Sequence, residues 1–323
     1  MKTIQWGIIG CGDVTEKKSG PALSKIAGSR LVAVMRRDGA LAADYARRHH
    51  VPIWLDDADA LIQHPEVNAV YVATPPGAHA ELALKVATAG KPCYVEKPFG
   101  ANARESHAMC AAFAEAGLPL LVAYYRRALP WFVFVKDMLE EGKLGTITEL
   151  RYRFAAGHYL QDGKLGWRGN PAISGGGLFV DLGSHALNLF DYWLGELGNV
   201  KAWNRMAMDG SGVAQQVGMT FETESGVPGT ATWNFACTQK EDLIELYGTD
   251  GIIRCSVFNH GPIWHITKDG QSQEHVFDVP DHIQQPLLEE VVLAIRNGIP
   301  CRSTGLTSLR TNEVMDIALP GRT

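Results

Sequence analysis

The chain lacks the marks of a nucleic-acid or membrane protein. Its 30 lysines and arginines stand against 35 aspartates and glutamates, a net charge of -5 with no block of like charges along 323 residues. Nothing electrostatic therefore points to nucleic acid or an anionic membrane surface as partner. No apolar run approaches the roughly 20 residues that a bilayer crossing needs. The start, Met1-Lys2-Thr3-Ile4, runs into glycine-broken sequence too short for a signal peptide. The six cysteines (Cys11, Cys93, Cys110, Cys237, Cys255, Cys301) lie far apart, without CxxC or metal-finger spacing, and several sit in apolar runs where a thiol packs as a small hydrophobe. That excludes a disulfide scaffold and a zinc finger and predicts a reducing, cytoplasmic setting. There is no internal repeat and no low-complexity linker. Small-molecule chemistry without a metal is the expectation.

What is present is a 46 % apolar composition in a chain longer than one hydrophobic core usually supports, so two domains are expected. The first third alternates short apolar runs with helical patterns, as in a parallel sheet covered on both faces. The runs are 4–10, 31–36, 69–74, 92–96 and 120–124, and the Ala-rich stretches 40–49, 79–89 and 103–116 read as helices between them. This predicts a doubly wound α/β domain over 1–123. Beyond it, 147–154, 218–223 and 230–236 alternate with period two. Ala231, Trp233 and Phe235 point one way and Thr230, Thr232 and Asn234 the other. A second domain over 124–323, built on an antiparallel or mixed sheet, is expected to leave a cleft against the first.

Glu96-Lys97-Pro98 ends one of the buried runs. A lysine between a carboxylate and a helix-excluding proline, at a strand end, is well placed to donate to a reacting oxygen beside a nicotinamide ring. Gly10-x-Gly12 follows the first strand and leads through Asp13 into a helix expected over Val14 to Ala27, so backbone amides can face a pyrophosphate. The third fingerprint position is Thr15, where a small residue normally permits close helix packing. After the second strand stand Arg36 and Arg37, whose planar guanidinium groups suit a 2'-phosphate, so NADP is the preferred cofactor, with NAD as the alternative. In the other reading these arginines are solvated and Asp38 takes the ribose or caps the next helix. Thr74-Pro75-Pro76-Gly77 brings the chain to the carboxyl edge of the sheet, and His79 opens a helix there, facing cofactor or serving structure.

A second cluster follows Gly175-Gly176-Gly177, a backbone able to lie close to a ligand. A helix is predicted from Leu178 to Trp193, with Asp181, His185, Asn188 and Tyr192 along one side, and no Lys, Arg or Glu falls between Gly169 and Gly195. A solvated helix face usually carries such charges, so Asp181 and His185 read as a site facing a cleft, the carboxylate orienting the imidazole for proton transfer. A buried structural Asp-His pair is the competing reading. No third and fourth ligand for zinc is found.

These segments in this order resemble the Gfo/Idh/MocA oxidoreductase family over nearly the whole chain. Gly10-Cys11-Gly12 is similar to its nucleotide fingerprint, Thr74-Pro75-Pro76 with His79 to its nicotinamide-side turn, and Glu96-Lys97-Pro98 to its most distinctive tripeptide. Arg127 and Pro130 resemble the start of its interdomain helix, and Trp167-Arg168 with Gly175-Gly176-Gly177, Asp181 and His185 its substrate-side motif. The resemblance implies a Rossmann domain followed by an α/β domain on a large mixed, mostly antiparallel open sheet that often forms a dimer interface, hence a homodimer or homotetramer. It implies hydride transfer between NAD(P) and a sugar, cyclitol or related cyclic alcohol. Lys97 would hydrogen-bond the reacting oxygen, His185 would donate or accept the proton, with Lys97 as the alternative acid, and Asp181 would position substrate or His185. Tyr125, Arg126, Trp167 and Arg168 would line the substrate pocket, shaped also by loops around His158 and Tyr159. Thr15 and Tyr125 depart from the family's usual residues. A redox-neutral glycosidase or lyase that retains its dinucleotide, and a non-catalytic dinucleotide sensor, are the rival expectations.

Overall fold

The computed structural model describes residues 3–156, 166–207 and 211–322, the Trp167 side chain excepted. Its contacts divide the chain into two units, 1–128 with 280–309, and 129–279 with 310–323. The stretch 280–309, expected in the second domain, thus packs with the first unit.

The first unit carries six parallel strands, β1 (Ile4–Ile9), β2 (Ser29–Met35), β3 (Ile53–Leu55), β4 (Ala69–Val72), β5 (Cys93–Val95) and β6 (Leu120–Val122), in the order β3-β2-β1-β4-β5-β6. This is the doubly wound arrangement expected from the alternating runs. Strands β4, β5 and β6 are buried at every position, which is why they read as continuous apolar stretches. The sequence reading missed β3, whose three residues include the half-exposed Trp54 at the sheet edge. Helices Gly39–Arg48, His79–Thr88 and Ala103–Glu115 stand close to where the sequence places them.

The expected helix from Val14 to Ala27 divides. Thr15–Ser19 forms a wide π-turn, and a regular helix follows over Gly20–Lys25. Pro21 in the first turn of the second segment has no N–H to continue the ladder, so the helix re-registers before it. Thr15 is accommodated because its hydroxyl turns back on the glycine loop, accepting from Gly12 N at 2.9 Å and donating to Gly12 O at 2.8 Å.

The returning segment completes this unit. Ser303 bonds Val122 through both its backbone and its hydroxyl, and Thr304 bridges Leu121, so the edge of β6 is covered. Helix Gln285–Asn297 buries Leu287, Leu288, Val291 and Val292.

The second unit is an eight-stranded sheet of β7 (Ile147–Ala155), β8 (Leu197–Met206), β9 (Ala214–Thr223), β10 (Pro228–Asn234), β11 (Glu241–Gly248), β12 (Gly251–Cys255), β13 (Ile263–Thr267) and β14 (Ser272–His275), ordered β14-β13-β12-β11-β7-β10-β9-β8. Among the described residues only β7 and β10 pair in parallel, so the sheet is mixed and mostly antiparallel. In β10 the period-two reading holds, with Ala231 and Trp233 buried and Thr230 and Thr232 exposed. Helix Ser184–Leu194 buries every residue from Ser184 to Asp191, against aromatic residues such as Tyr152 and Phe221 of the sheet.

Candidate functional site

The strand order decides what the first unit can present. Neighbouring strands β2, β1, β4 and β5 end in Arg36-Arg37, Gly10–Gly12, Thr74-Pro75 and Glu96-Lys97, so these four turns lie in a row on the carboxyl edge of one sheet. At about 4.8 Å between strands, the row spans on the order of 14 Å. The reversal of strand order lies between β1 and β4, where such sheets bind ligands.

Two observations fit a dinucleotide there. Gly10 has φ +90, and a Cβ on it would stand 2.9 Å from Thr74 Cγ2, so only glycine lets the two turns meet. The Thr74 hydroxyl is buried without a hydrogen-bond partner, a donor at the carboxyl edge. Asp13 and Val14 open the helix behind the loop, and the exposed Asp13 carboxylate pairs with Lys17 at 2.9 Å. Arg36 is exposed and reaches Cys11 O at 3.5 Å, and Arg37 is exposed beside it. Asp38 accepts from Leu41 N at 3.2 Å, and so caps helix Gly39–Arg48, as one of the two sequence readings allowed.

His79 opens helix His79–Thr88. Its ring is wholly buried, with Nε2 2.7 Å from Thr74 O and Nδ1 3.0 Å from Pro98 O and 3.1 Å from Phe99 O. Burial drives its pKa below the ordinary value, against the hydrogen bonds to those carbonyls, which favour the protonated ring. The ring lies between the Thr74 turn and the turn after Lys97, and the neutral imidazole has a single N–H to give to one of these carbonyls.

Glu96 is buried, and its carboxylate collects donors: Tyr71 OH at 2.6 Å and Gln284 Nε2 at 2.8 Å on Oε1, and the Lys97 amide at 3.1 Å on Oε2. The Lys97–Pro98 peptide is cis. Tyr125 and Arg126 are both buried, with Arg126 Nη1 3.0 Å from Tyr125 OH. Burial alone would raise the Tyr125 phenol, but the Arg126, Lys18 and Lys97 cations outweigh it and leave it below the ordinary tyrosine value.

In the second unit, Gly175, Gly176 and Gly177 all have positive φ. The expected helix from Leu178 begins as a π-turn over Phe179–Gly183, and Asp181 lies in it. Asp181 is buried and accepts from Arg168 Nε at 2.6 Å. His185 is buried in the first turn of the following helix, its ring edge-on to Phe258 at 5.9 Å between centroids. Burial of the helix also accounts for the absence of long charged residues between 169 and 195. The helix is covered on several sides, and Asn188 donates to Thr311 at 3.0 Å while Asp191 accepts from Arg310 Nε and Nη2 at 2.6 and 2.8 Å. Asn188 is therefore a core residue. His158, Tyr159 and the Trp167 side chain lie outside the described residues. The sequence reading missed Tyr71, Tyr94 and Gln284; nothing in Gln284-Gln285-Pro286 beyond a proline at a helix start marks a partner for Glu96.

Residues 4–124 match a family described as oxidoreductase family, NAD-binding Rossmann fold, and residues 132–254 match the GFO/IDH/MocA C-terminal domain. The chain is 35 % identical to oxidoreductase P35 of Formosa agariphila over 303 residues, 92 % of this chain and 93 % of that one. It is 24 % identical to scyllo-inositol 2-dehydrogenase (NAD(+)) of Bacillus subtilis over 96 % of this chain and 89 % of the relative. Among solved structures, levoglucosan dehydrogenase in complex with NADH and levoglucosan superimposes with a TM-score of 0.88 at 21 % identity, covering 98 % of this chain and 96 % of that one. That likeness shows the fold. No helix among the described residues is long and apolar enough to cross a membrane.

Proposed function

Because the chain belongs to the Gfo/Idh/MocA family of oxidoreductases, we propose that it is an NADP-preferring dehydrogenase or reductase acting on a hydroxyl or carbonyl carbon of a sugar, cyclitol or related cyclic alcohol. The observation that carries this reading is the row of four turns on one sheet edge, with Arg36-Arg37 at one end and Lys97 at the other. Bound NAD(P) supplies the hydride donor or acceptor. Gly10, Gly12, Asp13 and Val14 present the loop and helix start to the pyrophosphate, and Thr74 and Pro75 line the nicotinamide side. Arg36 and Arg37 offer planar guanidinium groups that suit a 2'-phosphate. Lys97 donates to the reacting oxygen, and Glu96 holds the Lys97 backbone. His185 moves the substrate proton. Asp181, fixed by Arg168, positions substrate, and Tyr125 and Arg126 contribute to substrate recognition.

We further propose a homodimer or homotetramer formed through the solvent face of the second sheet, in the cytoplasm, with a small carbohydrate-like molecule as substrate. Register places Trp203, Arg153, Leu243, Glu245 and Trp264 on that face, and Trp203 and Trp264 are 57 % and 39 % exposed.

The test begins with dissociation constants of NADPH and NADH, by nicotinamide and tryptophan fluorescence, on protein checked for retained dinucleotide. NADPH is expected to bind tighter. A sugar and polyol screen follows, in which Lys97→Met is expected to lose turnover by orders of magnitude while keeping dinucleotide affinity. Near-normal turnover in that variant overturns the assignment. A retained dinucleotide with no net reduction of added NADP would instead identify the redox-neutral hydrolase.

A further inference from the structure

The buried polar groups around Glu96 form a chain whose hydrogen-bond directions can be deduced. Tyr94 is fully buried, and its phenol, pushed well above the usual tyrosine range by burial and then by the Glu96 charge, keeps its proton. It donates that proton to Gln284 Oε1 at 3.1 Å. The Gln284 amide is thereby turned so that Nε2 faces Glu96 Oε1 at 2.8 Å. On the other side, Tyr71 is equally buried and keeps its proton for the same two causes. Its 2.6 Å contact with Glu96 Oε1 is the length of an O–H donor on a carboxylate. Having one proton, Tyr71 must then accept from Ser19 at 3.1 Å. Two chains, Ser19 to Tyr71 and Tyr94 to Gln284, converge on one carboxylate, whose other oxygen takes the Lys97 amide at 3.1 Å.

Gln284 is the member that joins distant parts of the first unit. It comes from the returning segment, is 1 % exposed, and its own N–H reaches Lys18 O at 3.3 Å in the π-turn behind the glycine loop. One residue thus touches the turn behind the fingerprint with its backbone N–H and the carboxylate beside Lys97 with its side-chain amide.

We propose that Gln284 is a positioning residue for the Lys97 step: oriented by Tyr94, its amide fixes the Glu96 carboxylate, which in turn fixes the Lys97 main chain and the ammonium it carries. The inference rests on the reading of Lys97 as the group that meets the reacting oxygen. A residue that merely fills space would be replaceable by methionine, which has similar volume and length but no N–H. A positioning residue would not, because Glu96 would lose one donor and Tyr94 would face a thioether.

The test uses the full chain as wild type, Gln284→Met, Gln284→Glu and the double variant Gln284→Glu with Glu96→Gln. The first readout is amide hydrogen exchange at single-residue resolution. Gln284→Met is expected to speed exchange at Lys97 at least about tenfold while the amides of Tyr71 and Val72 in β4 keep wild-type protection. Gln284→Glu sets two carboxylates face to face and is expected to do the same or worse. The double variant restores a donor and acceptor pair between the two positions and is expected to recover most of the Lys97 protection, a rescue that loss of packing does not predict. The second readout is turnover of levoglucosan and of scyllo-inositol with NADP or NAD. Gln284→Met is expected to lower kcat about 10- to 100-fold, with the KM for dinucleotide little changed, as a displaced reacting group would. Wild-type Lys97 exchange or wild-type kcat in Gln284→Met overturns the proposal, as does failure of the double variant to improve on Gln284→Glu. If the wild type turns over neither alcohol, the screen weighs against the functional reading, while the exchange and its rescue still decide the role of Gln284.

Discussion

Glu16 lies in the π-turn behind the glycine loop, and its replacement should be felt through pH. The Arg48 guanidinium binds both oxygens of its carboxylate and His49 Nε2 lies 2.7 Å from Oε2, which ties the turn to the end of helix Gly39–Arg48. The hydrogen bonds from Arg48 outweigh the effect of burial and, with His49, lower the Glu16 pKa from 4.5 to about 2. That difference corresponds to roughly 3 kcal/mol if unscreened. Arg48 is 41 % exposed and keeps Asp44 at 2.7 Å when Glu16 is lost, so solvent screening and the second partner reduce the expected contribution to about 1 to 2 kcal/mol. A folded-state pKa held below the unfolded one means that the stabilisation is full above pH 4.5 and is lost as pH falls toward 2. For a unit of this size, thermal unfolding should place Glu16→Gln about 2 to 8 °C below wild type at pH 7. The gap should close in acid, being about half gone midway between the two pKa values, because glutamine does not titrate. A gap that stays constant from pH 7 to pH 3, or one below about 1 °C at pH 7, would refute the reasoning.

Three further outcomes follow from the same structure. Replacing Arg36 and Arg37 together by alanine should weaken NADPH binding about 10- to 100-fold, the scale of a lost charge-assisted contact, and NADH binding by less than about threefold; equal losses in a fluorescence titration would remove these arginines from 2'-phosphate recognition. Gly10→Ala places a Cβ 2.9 Å from Thr74 Cγ2 at φ +90, a strain of about 1 to 3 kcal/mol, and should lower both melting temperature and dinucleotide affinity; wild-type values of both would contradict the tight meeting of the two turns. Asp191→Asn breaks a pair whose carboxylate is 3 % exposed but whose Arg310 partner is 34 % exposed, so denaturant unfolding should register a loss of about 2 to 4 kcal/mol, and a loss below about 0.5 kcal/mol would show the pair to be solvated.

The parts of the fold legible in the sequence are those where one physical signal dominates. Fully buried parallel strands such as Ala69–Val72 must be apolar throughout, and the half-buried β10 must alternate, so composition and period suffice. The short edge strand Ile53–Leu55 carries neither signal strongly. The π-turn at Thr15–Ser19 depends on where a threonine hydroxyl and a proline fall relative to a glycine loop, a relation the helical period hides. For the candidate site, Glu96-Lys97 and Gly10-x-Gly12 were visible because the chemistry and the turn demand those residue types. The stripe of Asp181, His185, Asn188 and Tyr192 carries two meanings, because a helix covered on several sides excludes long charges as effectively as one facing a ligand does. Gln284 was invisible because its partner is 188 positions away in the chain.

That separation bears on synthesis. The first 128 residues leave the ribosome long before positions 280–309 exist, and at 5–20 residues per second the interval is roughly 8 to 30 s. Throughout it the edge of β6 has no Ser303 to pair with, and the Glu96 carboxylate has no glutamine beside it. A nascent chain in this state presents an open strand edge to its neighbours, a hazard for self-association that ends only when the late segment docks. A gene truncated before position 280 would therefore encode not a smaller dinucleotide-binding protein but a stranded one, and chaperone demand during translation should fall sharply once that segment has emerged.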